Sequence, residues 1–215
     1  MSLVLRVVSK GLFSLTVSDG LRVFVATYFV MVLVIYLTKL MAARARFGVS
    51  LQQYGAVGSS QWIGRMAFEF FRWAILIYAL LRVPFASIDD QLGAISVLER
   101  ASVGLFGAAL MLLGLAVVAY AHNYLGSDWR SGTTPDGPAR LITEGPFAAT
   151  RNPVFLGVQC AQLGFFLAAP NVFTLVALVA GLIAIQAQTR VEERHLAQRF
   201  GDEYQAYAAR TRRWV

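Results

Sequence analysis

The chain has 215 residues, of which 57% are hydrophobic and only 14% charged. Soluble domains carry about 25% charged residues, so the composition excludes an ordinary water-facing globule and specifies an integral membrane protein, read as a single domain over residues 1–215. One cysteine, Cys160, excludes an internal disulfide and a cysteine-rich metal site, and the net charge of +7 reads as a topology signal with no nucleic-acid partner implied.

In chain order, residues 3–17 place Arg6, Lys10 and Ser14 on one face, the pattern of a helix lying at the membrane interface. The same charges interrupt any cleavable signal. A span needs about 20 apolar residues to cross roughly 30 Å of hydrocarbon. Residues 21–43 form the first, and residues 62–85 the second, with Glu69 and Arg72 inside it. These two are spaced for an ion pair within one helix. Residues 101–120 form the third, in which Gly104, Gly107, Ala108 and Gly114 offer close helix approach. Two further arms form a hairpin split at Ala168-Ala169-Pro170-Asn171, where Pro170 ends one helix and suits the start of the next. The first arm, residues 154–168, reaches only about 23 Å at 1.5 Å per residue. The second continues past Gln186 into a charged segment, so it is expected to project from the bilayer. The expected fold is therefore all-α, with about five transmembrane helices and an N-terminal interfacial helix. Residues 1–20 are the interfacial segment, 21–120 a three-span scaffold, and 121–215 a catalytic hairpin with its C-terminal helix.

Charge bias gives an orientation. Lys39, Arg44, Arg46, Arg65, Arg130, Arg140, Arg151, Arg190, Arg194, Arg199, Arg210, Arg212 and Arg213 share one side, whereas Asp89, Asp90 and Glu99 lie in the opposite loop. The positive-inside rule then places the C-terminus in the cytoplasm and the N-terminus outside, in what would be a bacterial inner membrane.

The chemically specific part begins at Glu144. Gly145-Pro146-Phe147 is followed by Arg151-Asn152-Pro153-Val154-Phe155-Leu156-Gly157. The chain later carries Arg190-Val191-Glu192-Glu193, then Leu196, Phe200-Gly201, Tyr204 and Tyr207. These two motifs resemble the Gly-Pro-Tyr…Arg-His-Pro-x-Tyr-x-Gly and Glu-Glu-x-x-Leu…Phe-Gly-x-x-Tyr-x-x-Tyr patterns of the isoprenylcysteine carboxyl methyltransferase and phospholipid methyltransferase family. Asp128-Trp129-Arg130-x-Gly132 is similar to a Trp-Arg-x-Gly segment of bacterial members. The resemblance covers roughly residues 128–215. Asn152 replaces the family's usual His, as in bacterial relatives with Arg-Asn-Pro-x-Phe, and Phe147 and Phe155 replace tyrosines. An arginine often stands three or four residues before the Glu pair. Here Gln188 and Thr189 occupy those places and Arg190 lies two before, which turns it by about 100° or more around a helix axis.

The resemblance implies a cytoplasmic-side site for S-adenosylmethionine, built from Gly145, Pro146, Phe147, Asn152, Leu156, Glu192, Glu193 and Tyr204, with Arg151, Asn152 and Arg190 nearest the chemistry. The requirements of methyl transfer agree with these residue types. An in-line displacement rests on holding acceptor and methyl in near-attack geometry. Carboxylates bind ribose hydroxyls or an ammonium, aromatics line a sulfonium, and backbone amides near Gly145 and Pro153 receive a carboxylate. No metal is required, and His195, three residues after Glu192, lacks the further ligands a metal site needs.

Each residue also has a plainer reading. Arg151 can anchor at the interface. Asn152-Pro153 can be a helix start, with Asn as cap and Pro in the first turn. The Glu pair can be a solvated helix face, either member being able to serve as the anchor. His122 and Cys160 read as packing residues, and Trp62, Trp129 and Trp214 as interface anchors. A site opening to lipid implies a lipophilic small-molecule or lipid acceptor. Arg151, Arg190 and Arg194 favour a carboxylate such as that of a prenylcysteine-like molecule, and a phosphatidylethanolamine amine is the alternative. From other classes, a non-enzymatic membrane scaffold or a reductase-like protein binding a nicotinamide cofactor also remains open.

Overall fold

The computed structural model describes residues 16–47, 60–125 and 140–215. The expected interfacial helix over 3–17 and the Asp128–Gly132 motif lie outside the described residues, as does the side chain of Trp62. Everything described is helix and short connection, and the protein is an all-α integral membrane protein.

Helix α1, Val17–Phe47, starts four residues earlier than the apolar run indicates. Thr16 and Asp19 cap it reciprocally: the Thr16 hydroxyl donates to Asp19 at 2.7 Å, and the Asp19 amide donates to the Thr16 hydroxyl oxygen at 3.1 Å. Helix α2, Ser60–Leu81, contains the anticipated Arg72–Glu69 ion pair at 3.1 Å. The Arg72 guanidinium also lies 4.2 Å from the centre of the Tyr36 ring on α1, which ties the two helices together. A short turn of helix, α3 (Ile88–Gln91), leads to α4, Ala101–Leu125, five residues longer than expected. After α5 (Pro146–Ala149) come the hairpin arms α6, Pro153–Ala168, and α7, Val172–Phe200, and finally α8, Asp202–Arg210.

Among the described residues, three helices are long and apolar enough to cross a membrane by themselves: Val17–Ala42 within α1, α4, and α7. Helix α6 is apolar but has 16 residues. Part of helix α2 (the side chains of residues 60–65, 67 and 68) lies outside the described residues, so its standing as a full span stays an expectation. Large apolar side chains stay exposed along these helices, among them Val34, Phe106, Leu113 and Ile183. Such a surface suits lipid and not water.

The anticipated small-residue approach is made by α4 against α6. A Cβ on Gly107 would lie 2.6 Å from the Gly164 carbonyl oxygen, and one on Gly114 would lie 2.6 Å from the Ala161 amide nitrogen. Backbone meets backbone here, as small residues permit in lipid, where packing rather than water exclusion holds helices together. Gly104 instead faces Leu21 of α1. Around this seam Met111, Phe165, Val25, Tyr28 and Tyr78 form the core, with Phe29 and Phe165 edge to face at 4.8 Å.

The hairpin turn is pinned by a buried polar cluster. Arg82 donates from Nε to Asp89 at 2.7 Å and from Nη2 to the Ala168 carbonyl at 3.3 Å. Asn171 donates from Nδ2 to the Tyr78 hydroxyl at 2.6 Å. Its side chain also accepts from the Thr174 amide at 3.0 Å, and the Thr174 hydroxyl oxygen accepts from the Asn171 amide, a complete capping box. This corrects the sequence reading of the break. Pro170 does not open α7; Asn171 caps it, and the Pro170 carbonyl accepts from the Ile95 amide at 2.8 Å.

Candidate active site at the open end of the hairpin

At the other end of the hairpin, α6 begins and α7 leaves the membrane. The connection before α6 turns at Gly145, whose φ of +57° favours glycine and whose missing Cβ leaves room for the Tyr124 ring at the end of α4. Pro146 starts α5, and the half-buried Phe147 gives its carbonyl to the Tyr207 hydroxyl at 2.7 Å. This bond fastens α8 to the loop.

Asn152 sits at the N-cap position of α6 with Pro153 in the first turn, as the sequence indicates. Its side chain, however, makes no cap hydrogen bond. It donates to Glu193 Oε1 at 3.1 Å and to the Arg213 carbonyl at 3.4 Å. The capping expectation is thus corrected: the amide is spent across the hairpin, on a carboxylate from the other arm.

Glu193 is the hub. Arg213 donates to it through Nε at 3.0 Å and Nη2 at 2.7 Å, a two-point grip. Arg151 stands 3.5 Å away. A carboxylate offers about four lone-pair positions, so these donors nearly saturate it. Glu192 points elsewhere, because adjacent helical residues differ by about 100° around the axis; its partner is Gln188, at 3.0 Å. The structure therefore separates a pair that sequence left equivalent.

The backbone adds to the same knot. The Arg151 amide donates to the Arg212 carbonyl at 2.9 Å, and the Thr150 hydroxyl donates to the Arg213 carbonyl at 2.9 Å. Residues Thr211 to Arg213 thus lie along the start of α6. Tyr204 is 5% exposed, and its hydroxyl has no hydrogen-bond partner. Burial, then the nearby Glu193 charge, raises its pKa, so it stays a neutral phenol. Burial, then Tyr204, pushes Tyr207 up to about 12. The hydrogen bond to Glu193 raises Arg213.

Of the anticipated residues, Arg151, Asn152, Glu193 and Tyr204 gather here, with Gly145, Pro146, Phe147 and Leu156 forming the adjoining loop and first turn of α6. Arg190 does not join them. It is exposed, and its carbonyl accepts from the side chain of Arg194 at 3.1 Å. Three residues were not anticipated. Arg213 and Tyr207 hold the knot, and Thr189, fully buried one turn before Glu193, keeps an unbonded hydroxyl. Tyr207 stood in the closing motif without a role. Arg213 was hidden in a basic cluster read only for topology, and Thr189 in a position marked only by the arginine it lacks.

Residues 103–203 match the family model described as phospholipid methyltransferase. The matched region, just under half of the chain, runs from α4 through both hairpin arms into α8, so it contains the loop, Asn152, Glu193 and Thr189 but not Arg213. It bears out the family read from the two motifs and supports methyltransferase chemistry in general. No curated protein and no solved structure matches the chain.

Proposed function

We propose that the protein is an S-adenosylmethionine-dependent methyltransferase acting on a lipophilic acceptor delivered by the membrane. The observation that carries this reading is the Asn152–Glu193–Arg213 knot, which joins the two family motifs beside a buried hydroxyl, that of Tyr204, with nothing to bond. A buried hydroxyl left unbonded costs about 1–3 kcal/mol, a cost a ligand would offset. The residues fit such a ligand. In this reading Arg151 attracts the carboxylate of the amino acid end, and Tyr204 donates to a ribose or ring acceptor. Since the bonds to Glu193 already occupy it, we assign it to positioning Asn152 and the guanidiniums. Arg190, exposed and off the buried face, is not proposed as a contact.

S-adenosylmethionine, when bound, supplies an electrophilic methyl on a sulfonium. What the chain contributes is orientation and exclusion of water, the main levers for a one-step displacement. In this reading residues 121–215 are the catalytic unit, residues 21–120 the scaffold, and the knot faces the cytoplasm.

Titration calorimetry with S-adenosylhomocysteine is the direct test. Binding at micromolar to low millimolar levels is expected, and no heat at millimolar ligand would end the methyltransferase proposal. For the acceptor, the leading reading is the carboxylate of a prenylcysteine-like molecule, because two guanidiniums converge on the site. The description of the matched family favours a phospholipid amine as the second. Labelled methyl in a base-labile ester of a farnesylcysteine analogue would support the first; label in base-stable phosphatidylethanolamine would support the second.

A further inference from the structure

We propose that Thr189 is the acceptor-recognition residue of this site, its hydroxyl donating a hydrogen bond to an anionic oxygen on the head of a lipophilic acceptor. This rests on the methyltransferase reading above and adds a residue to it. Thr189 shares one face of α7 with Ile185 and Glu193, at the four-residue spacing that stacks side chains along a helix, and all three are buried. It is 0% exposed, yet its Oγ1 bonds to nothing among the described residues. A threonine inside a helix ordinarily satisfies its hydroxyl on the carbonyl four residues back. Here that bond is not made, so the donor is held free.

Depth says what it is free for. Helix α7 climbs from the Asn171 turn toward Phe200, so Thr189 lies one turn, about 5.4 Å, closer to the membrane interior than Glu193. The loop, Asn152 and Tyr204 gather at the level of Glu193 or beyond it. Thr189 lies beneath the groups assigned to the cofactor, and because it is wholly covered a lipid head reaches it only by parting the packing around α7. Charge gives the chemistry of that head. The ion pairs at the knot set two guanidiniums, Arg151 and Arg213, against one carboxylate, Glu193. The surplus is positive, and although Arg213 is partly exposed, Arg151 and Glu193 are largely covered, which favours an oxyanion. The carboxylate of a prenylated cysteine and the phosphate of a phospholipid both supply one.

The test uses the full chain purified in detergent, comparing wild type with Thr189→Val and Thr189→Ser. Affinities are measured without cofactor for N-acetyl-S-farnesylcysteine, for its methyl ester, and for a short-chain phosphatidylethanolamine. Wild type is expected to bind one of the two probes bearing an anionic oxygen, the farnesylcysteine carboxylate or the zwitterionic phosphatidylethanolamine with its phosphate, and the bound probe identifies the source of the oxyanion. Thr189→Val should weaken that probe by about tenfold or more, the loss of one hydrogen bond to a charged group. Thr189→Ser should restore it, and the ester should be indifferent to all three side chains. The Val variant should melt at the wild-type temperature or above, because an unbonded buried hydroxyl has been replaced by a methyl of similar size. Equal affinities in wild type and Val variant, binding of neither probe bearing an anionic oxygen, or a Val variant melting several degrees lower would each overturn the assignment. S-adenosylhomocysteine affinity separates the two ideas. If wild type fails to bind it while the Thr189 effect on lipid persists, the methyltransferase reading falls and the acceptor site stands. If only the Val variant loses it, with acceptor binding unchanged, Thr189 belongs to the cofactor and this inference falls.

Discussion

Asn152, Glu193 and Arg213 come from three elements, and each is committed to the others. Removing one partner of a buried ion pair typically costs about 3–5 kcal/mol. Arg213 is partly exposed, so the lower end applies here. Glu193→Gln should therefore lower the melting temperature by several degrees and weaken S-adenosylhomocysteine at least tenfold, whereas Glu192→Gln should stay near wild type in both measurements. Equal effects of the two substitutions would show that the hub is misassigned. Arg213→Met, at a position beyond the matched family region, is expected to reproduce most of the Glu193→Gln loss in affinity by calorimetry. The sequence could not rank the two glutamates, because both are charged and adjacent; only the position of α6 decides which one faces Asn152. Arg213 was illegible for a related reason. Its partner lies 20 residues away with a change of helix between, and no periodic pattern reports that.

At the scale of elements, two devices hold the hairpin. The first is the α4–α6 seam, where glycine was legible as close approach because small residues at heptad-like spacing have few other uses in an apolar helix. Adding methyls there is overpacking, which costs about 1–3 kcal/mol per site. Gly114→Val should lower the thermal midpoint in detergent, while Leu113→Val, at an exposed position of the same helix, should not. The second device is the turn cluster. Asp89→Ala strands the buried Arg82 guanidinium and should destabilise by roughly 3–5 kcal/mol, read as a loss of folded protein on extraction. Asp89 was visible in the sequence only as a loop charge on the side opposite the arginines. Its pairing with Arg82 required the chain to fold back over Asn171, which the Pro170 break signalled without saying how it would be capped.

For the whole molecule, the likeness to the matched family was legible from two motifs and the all-α membrane class from composition, since apolar run lengths follow directly from bilayer thickness. Orientation remains a proposal with a simple check. In a variant lacking Cys160, single cysteines at positions 144 and 203 should label from the cytoplasmic side, and one at position 90 only from the opposite side. Labelling of positions 144 and 203 from opposite faces would break the site apart and, with it, the proposed function.

The brevity of α6 bears on how the protein is made. Its 16 residues span about 24 Å, short of the roughly 30 Å of hydrocarbon, and Gln159 and Gln162 add polar groups in its middle. Such a segment is a poor candidate to leave the translocon for lipid by itself. Helix α7 is long and apolar, and the tight turn at Ala169–Asn171 delivers it immediately afterwards. The two arms are thus expected to enter the bilayer as one unit, with α4 already waiting to receive α6 along its glycines. In a reporter-fusion insertion assay, α6 alone should pass through, and α6 followed by α7 should be retained as a pair. By the same shortfall the bilayer is expected to thin around α6, which would bring water and lipid heads to the level of the proposed site.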